Sequence, residues 1–333
     1  MSGTDQEYTQ PLGLDVGTSR IVVARSADKK YRYKSQLNAF LTLPHSRLAE
    51  ELMQRENVFH EVRDGKILVS GTDAQRFAEV FHVETRRPMA SGVLNPQEPH
   101  SLSVVRSIIT KLVGKANTEG QKIFFSTPAP MDGADAGIPY HEASISQVLS
   151  ELGFNPTPIS EGLAVVFGEL SESNFSGIGI SCGSGLCNVC LAVLSVPVIA
   201  FSVGKAGDFI DSQAARVTGD LAIRLRVQKE QAFHLNGLTG DRVNDALTVY
   251  YQEVLVNLVE TLRNHISSAQ RLPKLEQSIP LVLSGGTAMP KGFLDHFMKV
   301  LRGHELPVKL SDVRISADPL NSTARGALMA ALC

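Results

Sequence analysis

"GIGISCGSGLCNVC", Gly177 to Cys190, holds four glycines and three cysteines in fourteen residues. Such a stretch suits a metal site, a redox pair, or a glycine turn that holds a phosphate. Cys187 and Cys190 form CxxC, a spacing used by zinc ligands and by redox dithiols. The apolar, β-branched flanks predict strands on both sides of the turn, and on a strand residues three apart point to opposite faces. The two thiols therefore cannot chelate one ion, and no second CxxC or close His cluster completes four ligands. They read as small buried hydrophobes. The turn itself is left: dense glycine permits positive φ and removes side chains, so backbone N–H groups can reach an anion.

A second stretch, "GLDVGTSRIVVA" from Gly13, repeats the strand, glycine turn, strand layout. Each copy is followed by helices, which makes the chain two related halves. Two lobes with a cleft between them follow, each presenting one hairpin to it. A plain hairpin turn is the alternative for either copy alone; two facing turns could grip a polyphosphate from both sides. Asp15, at the end of the first strand, is placed to hold water around Mg²⁺. Ser181 stands at the corresponding place in the second copy. A third turn, Gly285 and Gly286, lies in "IPLVLSGGTAMPKGFLDHFMKVL", which reads as strand, turn and helix.

The rest of the chain alternates strands and helices, the mark of an α/β protein. "SRLAEELMQRE" and "SLSVVRSIITKLVGKA" predict helices, the second ending at Gly114, and "GKILVSG" and "QKIFFSTPAP" predict strands. "HEASISQVLSELG" is a helix stopped by Gly153. "ISEGLAVVFGEL" offers Ser160 as N-cap and Glu161 in the first turn. The strongest helical pattern runs from Val243 to Gln270, with Leu247, Tyr250, Val254, Leu258 and Leu262 as its apolar stripe. "DPLNSTARGALMAAL" closes the chain as a capped helix.

With 333 residues, 43% apolar and 20% charged, the chain can build two compact domains or one bilobed one. A net charge of −2 argues against a polyanion-binding surface and so against nucleic acid. Four cysteines without a framework point to a reducing, cytoplasmic setting. "MSGTDQEYTQPLG" has neither a basic n-region nor an apolar core, so no signal peptide is expected, and it lacks the amphipathic pattern of a surface-lying membrane helix. Leu186 to Val203 is eighteen residues without a charge. It is interrupted by Asn188, Ser195, Pro197 and Ser202, and reads as two buried strands turning at "LSVP" rather than as a membrane span.

Six motifs in order resemble those of the actin-like ATPases, the superfamily of actin, heat-shock chaperones and sugar kinases, and within it the bacterial actins of the MreB and MamK type. "LGLDVGTSR" is similar to their first phosphate hairpin and "ISEGLAVVFGEL" to their first connecting helix. "ISCGSGLCNV" falls at the second hairpin, "KAGDFID" just after it, "LVLSGGTAMPKGF" at the adenosine motif and "DPLNSTARGALMA" at the second connecting helix. "RRPMASGVLNP" and "KILVSGTDA" resemble the first lobe of MreB and MamK.

The resemblance implies an actin-like, ribonuclease H-like two-lobed fold around an ATP cleft. Residues 1–10 would be a polar tail. Lobe I would have a large subdomain of 11–39, 88–160 and 313–333, and a small one of 40–87. Lobe II would have a large subdomain of 161–211 and 248–312, and a small one of 212–247. Asp15 would reach Mg²⁺ through water, Glu161 would orient the attacking water, and Gly17, Thr18 and Ser19 would contact phosphates. Gly183, Ser184, Gly185 and Gly207 would face them, while Gly285, Gly286, Thr287 and Lys291 would border the nucleotide.

For Glu161 a plain first-turn carboxylate is the alternative, and for Lys291 a solvated helix residue. Where the family carries Asp and Thr in the second hairpin, this chain has Ser181 and Leu186, and Asn188 replaces a frequent acid. Serine cannot supply the charge that helps hold Mg²⁺, which implies slow or lost hydrolysis. The implied function is a filament-forming cytoskeletal protein whose partner is itself, with other cytoskeletal or membrane-associated proteins as further candidates. A non-polymerising scaffold and a chaperone or reactivase ATPase are the alternatives. A small-molecule kinase would need a catalytic acid, for which "PMDGADAG" is the loop to consider.

Overall fold

A computed structural model describes residues 10–27, 30–81, 83–132, 137–269 and 277–333. Most of the tail at 1–10, the centre of the "PMDGADAG" loop and Gln270 lie outside them. The chain begins with the antiparallel run β1 (Leu12–Val16), β2 (Arg20–Ala27) and β3 (Lys30–Leu37). β4 (Phe40–Pro44), α1 (Arg47–Arg55), β5 (His60–Arg63), β6 (Lys66–Ser70) and α2 (Thr72–Phe81) follow. These three strands pair in the order β4-β6-β5 over a small core of their own that includes Leu41, Met53 and Ile67. A short hairpin, β7 (Met89–Ala90) and β8 (Val93–Leu94), leads to α3 (Ser101–Val113), β9 (Gln121–Thr127), α4 (Ile138–Glu151) and β10 (Phe154–Ser160). β9 and β10 join in parallel, giving a sheet ordered β10-β9-β1-β2-β3.

α5 (Glu161–Glu169) carries the chain to the second sheet. There β11 (Gly177–Cys182), β12 (Cys187–Val193) and β13 (Val196–Val203) form another antiparallel run. After α6 (Gly207–Thr218), α7 (Ala222–Gln231) and α8 (Arg242–Ser268) comes β14 (Ile279–Ser284), then α9 (Phe293–Arg302), β15 (Leu310–Ile315) and α10 (Ser322–Leu332). β14 and β15 add in parallel, so β13-β12-β11-β14-β15 repeats the first sheet strand for strand, in the same sense. The echo between the two sequence stretches is thus a repeated topology.

The repeat extends to how helices meet the sheets. A Cβ on Gly13 would overlap the Ala324 carbonyl of α10, and one on Gly179 would lie 2.5 Å from the Gly162 carbonyl of α5. Glycine at these strand positions lets a helix backbone rest on the sheet. α5 and α10 also meet each other closely, since a Cβ on Gly326 would overlap the Ala164 carbonyl. At the end of α5 the buried Glu169 carboxylate takes hydrogen bonds from Arg314, Arg325, Ser316 and Ser322, tying α5, β15 and α10 together.

Several local expectations change. In α8 the buried aromatic is Tyr251, stacked on Phe233, whereas Tyr250 is only partly buried, edge-on to Phe209. A four-residue step from Leu247 stays on the buried stripe; the three-residue step lands at its border. β12 is buried through Ala192, but β13 is an edge strand and Val196 is 62% exposed at its start. The turn between them is Leu194–Ser195, both with positive φ. Ser160 and Asn321 sit at N-caps without a side-chain capping bond. Cys187 and Cys190 enter different core clusters, as opposite faces require.

Candidate functional site

Both glycine turns close with the same bond: Gly17 N donates to Arg20 O at 3.0 Å, and Gly183 N to Leu186 O at 2.9 Å. A Cβ on Gly17 or Gly183 would press on that same carbonyl, at 2.8 and 2.9 Å. Between the turns lies a cavity of about 430 Å³. Asp15, Gly17, Thr18 and Ser19 line it from one sheet, and Gly183, Ser184 and Gly185 from the other. Glu161, Gly207, Gly285, Gly286 and Thr287 complete the wall, so all twelve predicted site residues meet there, with Ser181, Leu186 and Lys291 beside them. Lys291 is not a helix residue: it precedes α9, bridges to His234, and its carbonyl accepts from Leu235 N.

Local bonds explain the shape. Gly285 has φ of 91°, and a Cβ there would overlap the Cys182 carbonyl, so only glycine fits. α6 begins at Gly207, where Gly207 N and Asp208 N donate to the Gly183 and Ser184 carbonyls of the second turn. Thr287 Oγ1 donates to Gly183 O at 2.7 Å, while Thr18 Oγ1 accepts from Gly92 N at 3.1 Å. Leu186 lies against Gly92, beside Pro128. Asn188 lies off the cavity wall, and its Oδ1 accepts from Ala129 N at 2.9 Å.

Two carboxylates dominate the electrostatics. Val16 N donates to Ser126 Oγ at 2.9 Å, and the Ser126 hydroxyl in turn donates to Asp15 Oδ1 at 2.8 Å. Burial pushes Asp15 up to about 6 even so. Glu161 opens α5, and burial, then the neighbouring Asp15 charge, lifts it to about 8. Ser181 Oγ donates to Glu161 Oε2 at 2.9 Å, which lowers it only partly. Of the two, Glu161 is pushed further toward its protonated form. No group of three or more His, Cys, Asp or Glu among the described residues forms a metal cage. Mg²⁺ does not need one: it takes one or two carboxylates plus phosphates and keeps its waters. A buried Asp15 beside a buried Glu161, whose proton affinity Asp15 raises, fits such a cation, which would offset the burial of both.

Sequence reasoning missed the far wall, where Asp211, Lys229, Phe233 and Tyr251 stand. Lys229 Nζ pairs with Asp211 Oδ1 at 2.6 Å and donates to Gly207 O at 3.2 Å. Burial raises Asp211 to about 6 against the pull of Lys229. Leu225 and Lys229 are both buried, but α7 is a charged helix without an apolar stripe, so its sequence carried no signal for the pair.

Residues 11–331 match the family model described as Volactin. The chain belongs to the Volactin family. This volactin-family chain is also homologous to the actin-like protein MamK of Magnetospirillum gryphiswaldense, 23% identical over 95% of this chain and 87% of that protein. A structure described as a MamK double helical filament matches with a TM-score of 0.73 at 19% identity, over 97% of this chain and 98% of that one. MreB5 of Spiroplasma citri bound to ADP matches at 0.63 and 12% identity, over 96% and 95%. The fold is actin-like. No helix among the described residues is long and apolar enough to cross a membrane.

Proposed function

We propose that this chain is an actin-like cytoskeletal protein that takes ATP with Mg²⁺ into the interlobe cleft, assembles with copies of itself into cytosolic filaments, and hydrolyses slowly or not at all. One observation carries the reading: two equivalent glycine turns face a single cavity of about 430 Å³ with a buried carboxylate beside them. Backbone N–H groups freed of side chains suit phosphates. Asp15, held by Ser126, would anchor the magnesium through water, and the bound ion would neutralise charge on the phosphates. The third glycine turn and the Lys229–Asp211 wall would border the nucleoside. Filament assembly is supported by homology to MamK and by the fit to a MamK filament structure. The four-subdomain division stated above belongs to the same proposal.

Slow turnover is supported by the Ser181 hydroxyl. It donates to Glu161, whose burial favours the protonated form, so the residue expected to orient water is engaged elsewhere. The same feature favours a second reading, a non-polymerising scaffold that binds nucleotide for shape alone. Calorimetry with ATP–Mg²⁺, followed by electron microscopy with and without nucleotide, tests both. Heat on binding and ordered filaments are expected. Heat without filaments moves the reading to the scaffold, and no heat at millimolar nucleotide ends it.

A further inference from the structure

Arg87 and Asp208 lie 121 residues apart and on opposite sides of the cleft, yet Arg87 Nη1 is 2.7 Å from both carboxylate oxygens of Asp208. Neither residue lines the cavity. Each side chain grows from an anchored backbone. Arg86, beside Arg87, exchanges two backbone hydrogen bonds with Phe40 of β4, and its own guanidinium lies over the Phe40 ring while pairing with Glu98. Asp208 N donates to Ser184 O at 2.7 Å, within the second glycine turn. The ion pair therefore joins the edge of one lobe to the loop that faces the phosphates in the other.

A second contact runs parallel to it. The hairpin after Arg87, β7–β8, carries Gly92, which donates to Thr18 of the first turn and lies against Leu186 of the second. A Cβ on Gly185 would come within 2.9 Å of Gly92 N and 3.3 Å of Ser91 Cα, so hairpin and turn touch through backbone. Drawing the lobes apart must break the Arg87–Asp208 pair and lift β7–β8 from the second turn together, while its bond to Thr18 stays within the first lobe.

We propose that Arg87–Asp208 is an interlobe latch: it holds the cleft closed, and breaking it is the step that lets a bound nucleotide leave. The inference rests on the reading of the cleft as a nucleotide site. Leu186, which removes a hydroxyl from the second turn, contributes instead an apolar contact beside the latch. The ion pair is partly exposed, with side chains 21% and 39% accessible, so its strength should fall with salt.

Pulsed electron resonance between spin labels at Gln54→Cys and Arg224→Cys, in a Cys333→Ser background, reads the lobe separation in ligand-free protein. The other three cysteines are buried and stay unlabelled. Arg87→Ala is expected to shift and broaden the distances to longer values. Release of a fluorescent ADP analogue should quicken about tenfold, a change of roughly 1.4 kcal/mol. Asp208→Asn, which keeps the side chain's shape, should do the same and carries the test if Arg87→Ala fails to fold. The double variant should match either single one, and 0.5 M salt should reproduce the effect in the unmodified protein alone. Distances in Asp208→Asn that coincide with those of the unmodified protein, or effects that add in the double variant, overturn the latch. If the unmodified protein binds no ADP, the nucleotide reading falls, and the ligand-free distances still decide the latch by themselves.

Discussion

In the first glycine turn the strand before Gly17 carries Asp15, which takes a hydrogen bond from Ser126; in the second, the strand before Gly183 carries Ser181, which gives one to Glu161. The backbones are alike position by position. Gly13 and Gly179 admit a helix, Gly17 and Gly183 close the turn, and Ser126 and Ser284 follow on the neighbouring parallel strands. What differs is the direction of the hydrogen bond and the presence of an ionisable group. The fold demands the glycines, because atoms would otherwise overlap, but it leaves the polar residue at the strand end free to change. The backbone role of this motif and the metal role proposed for it are separable.

The hardest blow to the comparison would come through the glycines. Gly13→Ala and Gly179→Ala each force a Cβ into a helix backbone, a main-chain clash that no rotamer change relieves. Each should cost about 3 kcal/mol or more in urea unfolding, with similar losses for the two. A large loss at one and none at the other would break the equivalence of the lobes at its root.

That equivalence was legible in the sequence because glycine spacing reports backbone needs directly. "GLDVGTSR" and "GISCGSGL" align, and all twelve candidate residues came to line one cavity. Pairings that depend on the fold were not legible. Nothing near Ser181 in sequence says that its hydroxyl meets Glu161, twenty residues away across a helix–sheet contact, or that Ser126 orients Asp15 from 111 residues on. Tyr251 was passed over for Tyr250 because both fit an apolar period, and only the stack on Phe233 distinguishes them. The Lys229–Asp211 pair was hidden for another reason: a charged helix reads as solvated until its buried face is known.

The separation of roles predicts unequal effects at the two strand ends. Asp15→Asn should weaken ATP binding in Mg²⁺ about a hundredfold, roughly 2.7 kcal/mol, and make the affinity indifferent to Mg²⁺. Ser181→Ala should leave the Mg²⁺ dependence in place. Titration calorimetry with and without the metal compares them, and equal losses would mean that both ends serve the cation.

The buried carboxylates give the comparison a pH signature in ligand-free protein. Glu161 is raised from 4.5 to about 8 in the fold, so the folded state holds a proton that the unfolded chain has released. Stability from this group is fully present below the unfolded value and is lost as pH rises toward 8, on the order of 2 kcal/mol between pH 6 and 8. Glu161→Gln should flatten that fall. Ser181→Ala, which removes a donor to the carboxylate, should carry it to higher pH, and Ser126→Ala should do the same for Asp15 lower on the scale. Urea midpoints across pH measure all three, and a slope of opposite sign would show the carboxylates to be stabilised as anions.

The smallest expected effect sharpens the comparison most, because it asks whether the second turn can be made chemically like the first. Ser181→Asp with Leu186→Thr supplies a carboxylate and a hydroxyl where this chain has an uncharged hydroxyl and an alkyl group. In phosphoryl transfer, catalysis comes mainly from positioning and preorganised charge. A second acidic group should tighten the magnesium and, by ending the hydrogen bond from Ser181, release Glu161 to orient water. Against this, a third carboxyl group joins Asp15 and Glu161 in a buried space, so ligand-free stability should fall and part of the gain is lost to Glu161 holding its proton more tightly. The net expectation is a rise of about tenfold in single-turnover phosphate release at saturating ATP–Mg²⁺, roughly 1.4 kcal/mol. The rise should be steeper above pH 8, where Glu161 ionises, and absent when Glu161→Gln is added. An unchanged rate, with nucleotide still bound, would mean that the proposed slow turnover is set elsewhere in the cleft and not by the polarity of the second turn.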